Sequence, residues 1–122
     1  MFNIFGTKIS PFSLISPMQV EERLQGGATL VIDVREPYAY AEWHIKDSKL
    51  IPLGQLNNIT NLLCSKYHEI IVVCESGNRS HFAAGQLVLL GFTKVANLKG
   101  GLRNWLKSGF QVEMWIDKEH VK

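Results

Sequence analysis

Apolar runs with little polar interruption alternate along the chain with stretches of helical spacing. The clearest runs are residues 28–34 ("ATLVIDV") and 69–74 ("EIIVVC"), which are rich in β-branched residues. Because a continuous apolar run of this length is typical of a strand covered on both faces of a sheet, both are predicted to be buried strands. Shorter strands are predicted at 48–53 ("SKLIPL") and 94–98 ("KVANL").

Helices are predicted between these strands. Ser16, Pro17 and Gln19 have the pattern of a capping box, so a helix is expected from about residue 17 to residue 25, ended by two glycines. Further helices are predicted within 36–44 ("EPYAYAEWH"), 53–67 ("LGQLNNITNLLCSKY"), 80–91 ("SHFAAGQLVLLG") and 102–109 ("LRNWLKSG"). The alternation of strands and helices predicts an α/β domain with a mainly parallel sheet.

The helix predicted at 80–91 is apolar almost all round, so we expect it to be buried. Gly85 in its interior lowers helix propensity by about 1 kcal/mol relative to alanine, and this predicts close packing against another backbone. The helix at 53–67 carries Leu56, Ile59, Leu62 and Leu63 on one apolar face.

Composition narrows the class of protein. The chain has 122 residues, 46% apolar and 20% charged, which fits one soluble domain, and its apolar runs are too short for a membrane span. The net charge of +2 is spread over scattered basic residues, so nucleic acid is not an expected partner. Two cysteines are few for a secreted disulfide scaffold. Reduced thiols and a cytoplasmic location are therefore predicted.

The stretch 74–80 ("CESGNRS"), called the Cys74 loop below, carries the candidate chemistry. Cys74 ends a predicted strand and the loop leads into a helix, so backbone N–H groups and the helix N-terminus can favour its thiolate. Gly77 and Asn78 tolerate the positive φ angles of a tight turn, and Arg79 adds a permanent cation. From the residues alone, Cys74 is either an activated nucleophile or an ordinary core cysteine.

Five stretches resemble the single-domain rhodaneses, the thiosulfate sulfurtransferase family, in order and spacing. They are "IDVREPYAYAEWHI" (32–45), "IPL" (51–53), "VVCESGNRS" (72–80), "AA" with "LGF" (83–84 and 90–92) and "LKGGLRNW" (98–105). The resemblance implies a rhodanese-like domain at 16–109, with a mainly parallel five-stranded sheet and helices on both faces. Residues 1–15 would be an N-terminal extension and 110–122 a C-terminal tail, which either folds back onto the domain or contacts another subunit.

A persulfide mechanism is what the resemblance implies for this chain. Cys74 would take a sulfur atom from a donor such as thiosulfate or a persulfide and pass it to cyanide or a thiol. The substrate-binding residues would be the rest of the Cys74 loop: Glu75, Ser76, Gly77, Asn78, Arg79 and Ser80. Neither a metal nor an organic cofactor is required. The expected partners are small-molecule sulfur donors and acceptors, or a protein that carries the sulfur.

Two alternatives share this fold. Phosphatases of the superfamily have five residues between cysteine and arginine, whereas four separate Cys74 from Arg79 here, a smaller ring that suits sulfur better than phosphate. Rhodanese-like binding modules usually lack the cysteine, which this chain keeps. Glu75 departs from the family's usual basic or neutral residue; its carboxylate would repel a dianion and raise the thiol pKa, which favours a persulfide donor over thiosulfate.

The remaining polar candidates are expected to be mainly structural. Asp33 and Arg35 match the family's "DVR" and predict an ion pair, with anion binding as a second possible role for Arg35. His44 is expected to order its loop through a hydrogen bond. Cys64 lies on the apolar side of a predicted helix and is assigned to the core, with a role as a resolving thiol for Cys74 as the alternative.

Overall fold

The computed structural model of the protein describes residues 11–58 and 69–114. Within these residues, five strands and five helical segments follow one another. They are β1 (Ser13–Ile15), α1 (Pro17–Leu24), β2 (Thr29–Asp33), α2 (Pro37–Glu42), β3 (Lys49–Leu50), a 3₁₀ helix (Leu53–Asn58), β4 (Glu69–Val73), α3 (Asn78–Leu89), β5 (Val95–Leu98) and α4 (Gly101–Lys107).

The strands form one sheet in the order β1-β5-β4-β2-β3, and every strand pair within the described residues is parallel. This confirms the predicted α/β class and the five-stranded sheet. The first edge strand, β1, was not predicted, because only three residues form it and two of them are exposed. Strand β4 lies in the centre, where both faces are covered, and four of its five residues are buried.

Two apolar cores, one on each face of the sheet, explain why the strands read as continuous apolar runs. Alternate residues of β2 point to opposite faces, so Ile32 lies in one core and Val31 in the other. The first core includes residues of α3 and the 3₁₀ helix, and the second includes residues of α1 and α4. Helices therefore cover both faces, as predicted.

The first predicted helix is confirmed in detail. The Ser16 hydroxyl accepts a hydrogen bond from the Gln19 N–H, and the Gln19 side chain accepts one from the Ser16 N–H, which completes the capping box. The backbone turns left-handed at Gly27, with φ of +78°. These local signals set the start and end of α1 without help from distant contacts.

Two other helix predictions are corrected. The segment expected as an α-helix from residue 53 begins as a 3₁₀ helix, and residues 59–68, including Cys64, lie outside the described part. Helix α3 is not buried all round, because Phe82 is 72% and Leu89 is 88% exposed. Its apolar residues outnumber the positions that can face the sheet. A side chain at Gly85 would meet Phe12 only at 3.9 Å, so no close backbone contact explains this glycine.

Because the strands are parallel, the carboxyl ends of β2, β4 and β5 lie next to one another at the same end of the sheet. Glu36 follows β2, the Cys74 loop follows β4, and Gly100 and Gly101 follow β5. Ligands of open α/β sheets bind beyond the carboxyl ends of the strands. A ligand-binding or catalytic site is therefore expected at these strand ends. No helix within 11–58 and 69–114 is long and apolar enough to cross a membrane.

Candidate active site

Cys74 lies directly after the central strand β4 and is only 1% exposed. Three donors surround its sulfur. The N–H of Gly77 is 3.1 Å from Sγ, the N–H of Ser80 is 3.3 Å away, and the Ser80 hydroxyl is also 3.3 Å away. These contacts suit a negatively charged sulfur, because each directs a partial positive charge at it.

The curvature of the Cys74 loop depends on Gly77. Its φ of +99° lies in a region that L side chains avoid, and it forms the N-cap of α3. Asn78, which could tolerate a positive φ, does not adopt one, since α3 already begins at that residue. Arg79 and Ser80 thus belong to the first helical turn, where N–H groups have no partner within the helix. Such an N–H group from Ser80 reaches the sulfur.

Helix α4 holds the other side of the loop. The N–H of Leu102 donates to the Cys74 carbonyl at 2.8 Å, and the N–H of Arg103 donates to the Glu75 carbonyl at 3.0 Å. Gly101 permits this approach, because a Cβ there would lie 2.5 Å from the Glu75 carbonyl oxygen and 2.7 Å from that of Cys74. Gly101 is thus a packing requirement of the Cys74 loop.

Asn97 on β5 is a site residue that the sequence reading missed. Its side chain is 2% exposed and contacts two residues of the Cys74 loop. Oδ1 accepts from the Ser80 hydroxyl at 2.6 Å, and Nδ2 donates to the Gly77 carbonyl at 3.1 Å. The available signal was a lone amide in the buried strand "KVANL", because a buried polar group needs partners.

Two opposing effects set the pKa of Cys74. Burial raises it, whereas the Ser80 hydroxyl and the backbone N–H groups of Ser80, Gly77 and Ser76 lower it. The hydrogen bonds outweigh burial, so the pKa of Cys74 lies below that of an ordinary thiol. Such a shift increases the thiolate fraction at neutral pH.

The charged groups around the loop form pairs. Both carboxylate oxygens of Glu36 accept from one guanidinium nitrogen of Arg79 at 3.0 Å, and the hydrogen bond to Arg79 is the largest of the effects that lower the pKa of Glu36. The Glu75 carboxylate lies 3.8 Å from the guanidinium of Arg103. Arg79 is thus the predicted cation near the loop, but a carboxylate from the β2–α2 connection already binds it.

The predicted ion pair between Asp33 and Arg35 is present and buried, with a shortest N–O distance of 2.8 Å. Arg35 also donates to the Trp43 carbonyl at 2.8 Å and lies over the Trp43 ring. This pair joins the end of β2 to the end of α2. His44 is likewise ordered by a hydrogen bond, because its Nδ1–H donates to the Tyr40 carbonyl at 2.7 Å.

The sequence model of the family described as "Rhodanese-like domain" matches residues 16–108 of this chain. The chain belongs to the rhodanese-like domain family. This confirms the resemblance carried by the five sequence stretches. The rhodanese relatives include the thiosulfate sulfurtransferase GlpE of Ectopseudomonas mendocina, which is 37% identical over 80% of this chain and 87% of its own length.

Other relatives are longer proteins. An uncharacterised protein of Synechocystis, slr1261, is 34% identical over 78% of this chain, and the putative sulfur carrier protein YrkF of Bacillus subtilis is 40% identical over 62%. The matched part is 52% of the first protein and 40% of the second. This chain thus spans about half or less of their lengths.

Solved rhodanese structures have the same fold. A rhodanese-related protein of Thermoplasma volcanium superposes with a TM-score of 0.76 and 29% identity, covering 84% of this chain and 99% of that one. The rhodanese-like domain of the Anabaena protein Alr3790 superposes with a TM-score of 0.74 and 25% identity, covering 93% and 86%.

Proposed function

We propose that the protein is a sulfurtransferase that carries sulfane sulfur as a persulfide on Cys74. The observation that supports this most is the set of three hydrogen-bond donors on a buried sulfur at the end of the central strand. Membership of the rhodanese-like family and the thiosulfate sulfurtransferases among its relatives support the same reaction class.

The first step consumes one thiolate and forms one persulfide. The Cys74 thiolate attacks the outer sulfur of the donor, the new S–S bond forms, and the donor's S–S bond breaks. With thiosulfate, sulfite leaves with the bonding electron pair, and the enzyme holds Cys–S–S⁻. A thiophilic acceptor such as cyanide then attacks the outer sulfur, forms thiocyanate and restores the Cys74 thiolate. No electron is gained or lost overall.

The Cys74 loop supports both anionic states. The N–H groups of Gly77 and Ser80 and the Ser80 hydroxyl stabilise the starting thiolate. The remaining loop residues, Glu75, Ser76, Asn78 and Arg79, complete the proposed substrate-binding ring. Donors fixed by the fold need no reorganisation when charge moves to the outer sulfur, which is the principle of an oxyanion hole.

The paired charges bear on the sulfur donor. Arg79 is neutralised by Glu36, and the carboxylate of Glu75 lies within ion-pair distance of Arg103. The net charge of these four groups is zero, so a dianion such as thiosulfate gains little attraction from them. We propose that a persulfide, on a small thiol or on a protein, is the better donor and that thiosulfate reacts slowly.

The covalent intermediate provides the test. Protein treated with thiosulfate, or with a small-molecule persulfide, is expected to gain one sulfur atom, about 32 Da, in its intact mass. Cys74→Ser should lose both the adduct and thiocyanate formation, whereas Cys64→Ser is the matched control and should keep both.

Three outcomes would contradict the proposal. Adduct formation on Cys64 but not on Cys74 would show that Cys74 is not the residue that carries the sulfur. Failure of every donor to modify Cys74 would favour a rhodanese-like binding module. Hydrolysis of an aryl phosphate that depends on Cys74 would favour the phosphatase, although the four-residue spacing before Arg79 is against it.

A further inference from the structure

The side chain of Asn97 joins two residues of the Cys74 loop that both donate to sulfur. Asn97 lies on β5, next to the central strand β4, and is paired with Val72 in the sheet. Its amide contacts Gly77 at one end and Ser80 at the other, at 3.1 and 2.6 Å. It does this from a position that is 2% exposed.

We propose that Asn97 is a positioning residue of the sulfur site, which holds Gly77 and Ser80 where their N–H groups reach Cys74 Sγ and keeps the Ser80 hydroxyl oxygen beside that sulfur. The proposal deepens the function proposed above and rests on it for the use made of the sulfur. Asn97 does not contact the sulfur itself in the hydrogen bonds described, so its effect passes through the two loop residues.

The contact with Gly77 restrains the loop residue whose backbone is least limited by a side chain. A glycine has no side chain to limit backbone rotation, and Gly77 has the left-handed φ of +99°. Its carbonyl accepts from Asn97 Nδ2 at 3.1 Å and from the His81 N–H at 3.2 Å. With the carbonyl held on one side, the N–H of Gly77 stays 3.1 Å from the sulfur.

The contact with Ser80 fixes an oxygen atom beside the sulfur. Because Asn97 Nδ2 donates to the Gly77 carbonyl, Oδ1 is the end that faces Ser80 and acts as an acceptor. The Ser80 hydroxyl has one proton and two acceptors, Oδ1 at 2.6 Å and Cys74 Sγ at 3.3 Å. A neutral thiol can donate to the hydroxyl oxygen while the hydroxyl proton stays hydrogen-bonded to Oδ1. A thiolate accepts a hydrogen bond from that proton only when it leaves Oδ1, so Asn97 positions the hydroxyl but also competes with the sulfur for its proton.

The charges near the loop do not depend on Asn97. Glu75 and Arg79 are on the loop itself, Glu36 follows β2, and Arg103 is on α4. Their two ion pairs are formed without Asn97. A change in the pKa of Cys74 on substitution of Asn97 therefore reports the hydrogen-bond donors rather than a change in nearby charge.

The test measures the pH dependence of Cys74 alkylation by iodoacetamide, followed by mass spectrometry of the peptide that contains Cys74. Asn97→Leu keeps a similar side-chain volume but removes both hydrogen bonds. Loss of the positioned N–H groups of Gly77 and Ser80 raises the thiol pKa, whereas release of the Ser80 hydroxyl proton to the sulfur lowers it. We expect the first effect to prevail and the pKa to rise by about one unit, which slows alkylation about tenfold at a pH below the wild-type pKa. Ser80→Ala should shift the pKa in the same direction.

The double variant separates positioning from general packing. Asn97→Leu with Ser80→Ala should raise the pKa by less than the sum of the two single shifts, because part of the effect of Asn97 passes through Ser80. Asn104→Leu is the matched control, since Asn104 also donates its amide to a backbone carbonyl, that of Lys99 at 2.9 Å, without contacting Gly77 or Ser80. It should leave the pKa unchanged.

Asn97→Ser provides a second variant if the leucine destabilises the fold as judged by circular dichroism. An unchanged or lowered pKa in a folded Asn97 variant, strictly additive shifts in the double variant, or an equal shift in Asn104→Leu would each overturn the proposal. Alkylation needs no sulfur donor. The result therefore stands apart from the mass test of sulfur transfer, and either proposal can fail without the other.

Discussion

Burial of Cys74 opposes its ionisation, and the hydrogen bonds to its sulfur favour it. Since the hydrogen bonds prevail, the pKa is lowered, and the thiolate population grows as pH rises through that lowered value. We expect the alkylation rate of Cys74 to reach half its maximum below the pH of about 8.5 at which a free cysteine titrates. The same rise should appear in the rate of persulfide formation. A midpoint at or above the pH of free cysteine would show that burial dominates instead.

Glu36 should control how well the site attracts an anionic donor. Glu36→Gln removes the carboxylate that binds Arg79, so the guanidinium of Arg79 becomes available to a dianionic donor. The free guanidinium can then attract thiosulfate, which lowers the KM. Because Arg79 and Glu36 are exposed and dissolved salt screens their charges, we expect a modest decrease of about 1.5- to 5-fold in the KM for thiosulfate. The effect should fade as the salt concentration rises. It is measured from initial rates of thiocyanate formation.

Glu42→Gln is the control for that change, because it removes the same charge at the other end of α2. An equal decrease in KM for both variants would assign the effect to net charge. An increase in KM for Glu36→Gln would mean that Glu36 serves to position Arg79 for the donor.

Sequence predicted those site features that depend on the identity of one residue. Gly77 can be singled out because a tight turn favours glycine, and Cys74 because a thiol ends a predicted strand, although only the family resemblance separates a nucleophile there from an ordinary core cysteine. Contacts between segments that are distant in the sequence could not be predicted from it. Asn97 lies 17 residues from Ser80, and Glu36 lies 43 residues from Arg79, so only the folded sheet brings these partners together.

Helix α4 and the Cys74 loop are packed at backbone distance, and this contact depends on Gly101. Gly101→Ala would place a Cβ 2.5 Å from the Glu75 carbonyl oxygen and would also hold a left-handed φ of +67°. We expect a loss of about 2–5 kcal/mol in the free energy of unfolding. The hydrogen bonds from α4 to the loop should weaken as well, which would raise the pKa of Cys74.

Gly109→Ala is the matched control for this element contact. Gly109 has a similar φ of +85°, but a Cβ there meets nothing within 4 Å. The expected loss is about 1–2 kcal/mol, from backbone strain alone, with no change in the pKa of Cys74. Urea denaturation and iodoacetamide alkylation measure the two quantities. Equal losses in both variants would refute the packing explanation.

Local signals predicted the elements unequally. The capping box set the start of α1 because all of its contacts lie within three residues. The sequence predicts the start of α3 at residue 80, whereas the helix begins at Asn78. The polar residues after Gly77 have the composition of a loop, so their sequence alone does not indicate a helix. Strand β1 has one buried residue, and its pairing with β5 supplies what its own sequence does not.

Cys74 and the C-terminal segment pack in different cores, on opposite faces of the sheet. Cys74 belongs to the core that α3 covers, whereas Trp105 and the first residues of the C-terminal tail belong to the other face. The tail was expected either to fold back or to contact another subunit. Its described part folds back, since Phe110 and Val112 pack on the second core. The N–H groups of His44 and Glu113 also donate to each other's carbonyls, at 2.9 and 2.7 Å.

Phe110→Ala tests this separation. The Phe110 ring lies 4.9 Å from that of Trp105, and its partial burial predicts a loss of about 1–3 kcal/mol in the free energy of unfolding when it is truncated. Trp105 should become more accessible to water, with a red shift of its fluorescence. Met114→Ala, at a side chain that is 53% exposed, should change stability by less than about 0.5 kcal/mol.

Because the sheet lies between the second core and Cys74, the thiol pKa should stay at its wild-type value in both variants. A shift of that pKa in Phe110→Ala would mean that α4 transmits changes in the tail to the Cys74 loop through Leu102 and Arg103.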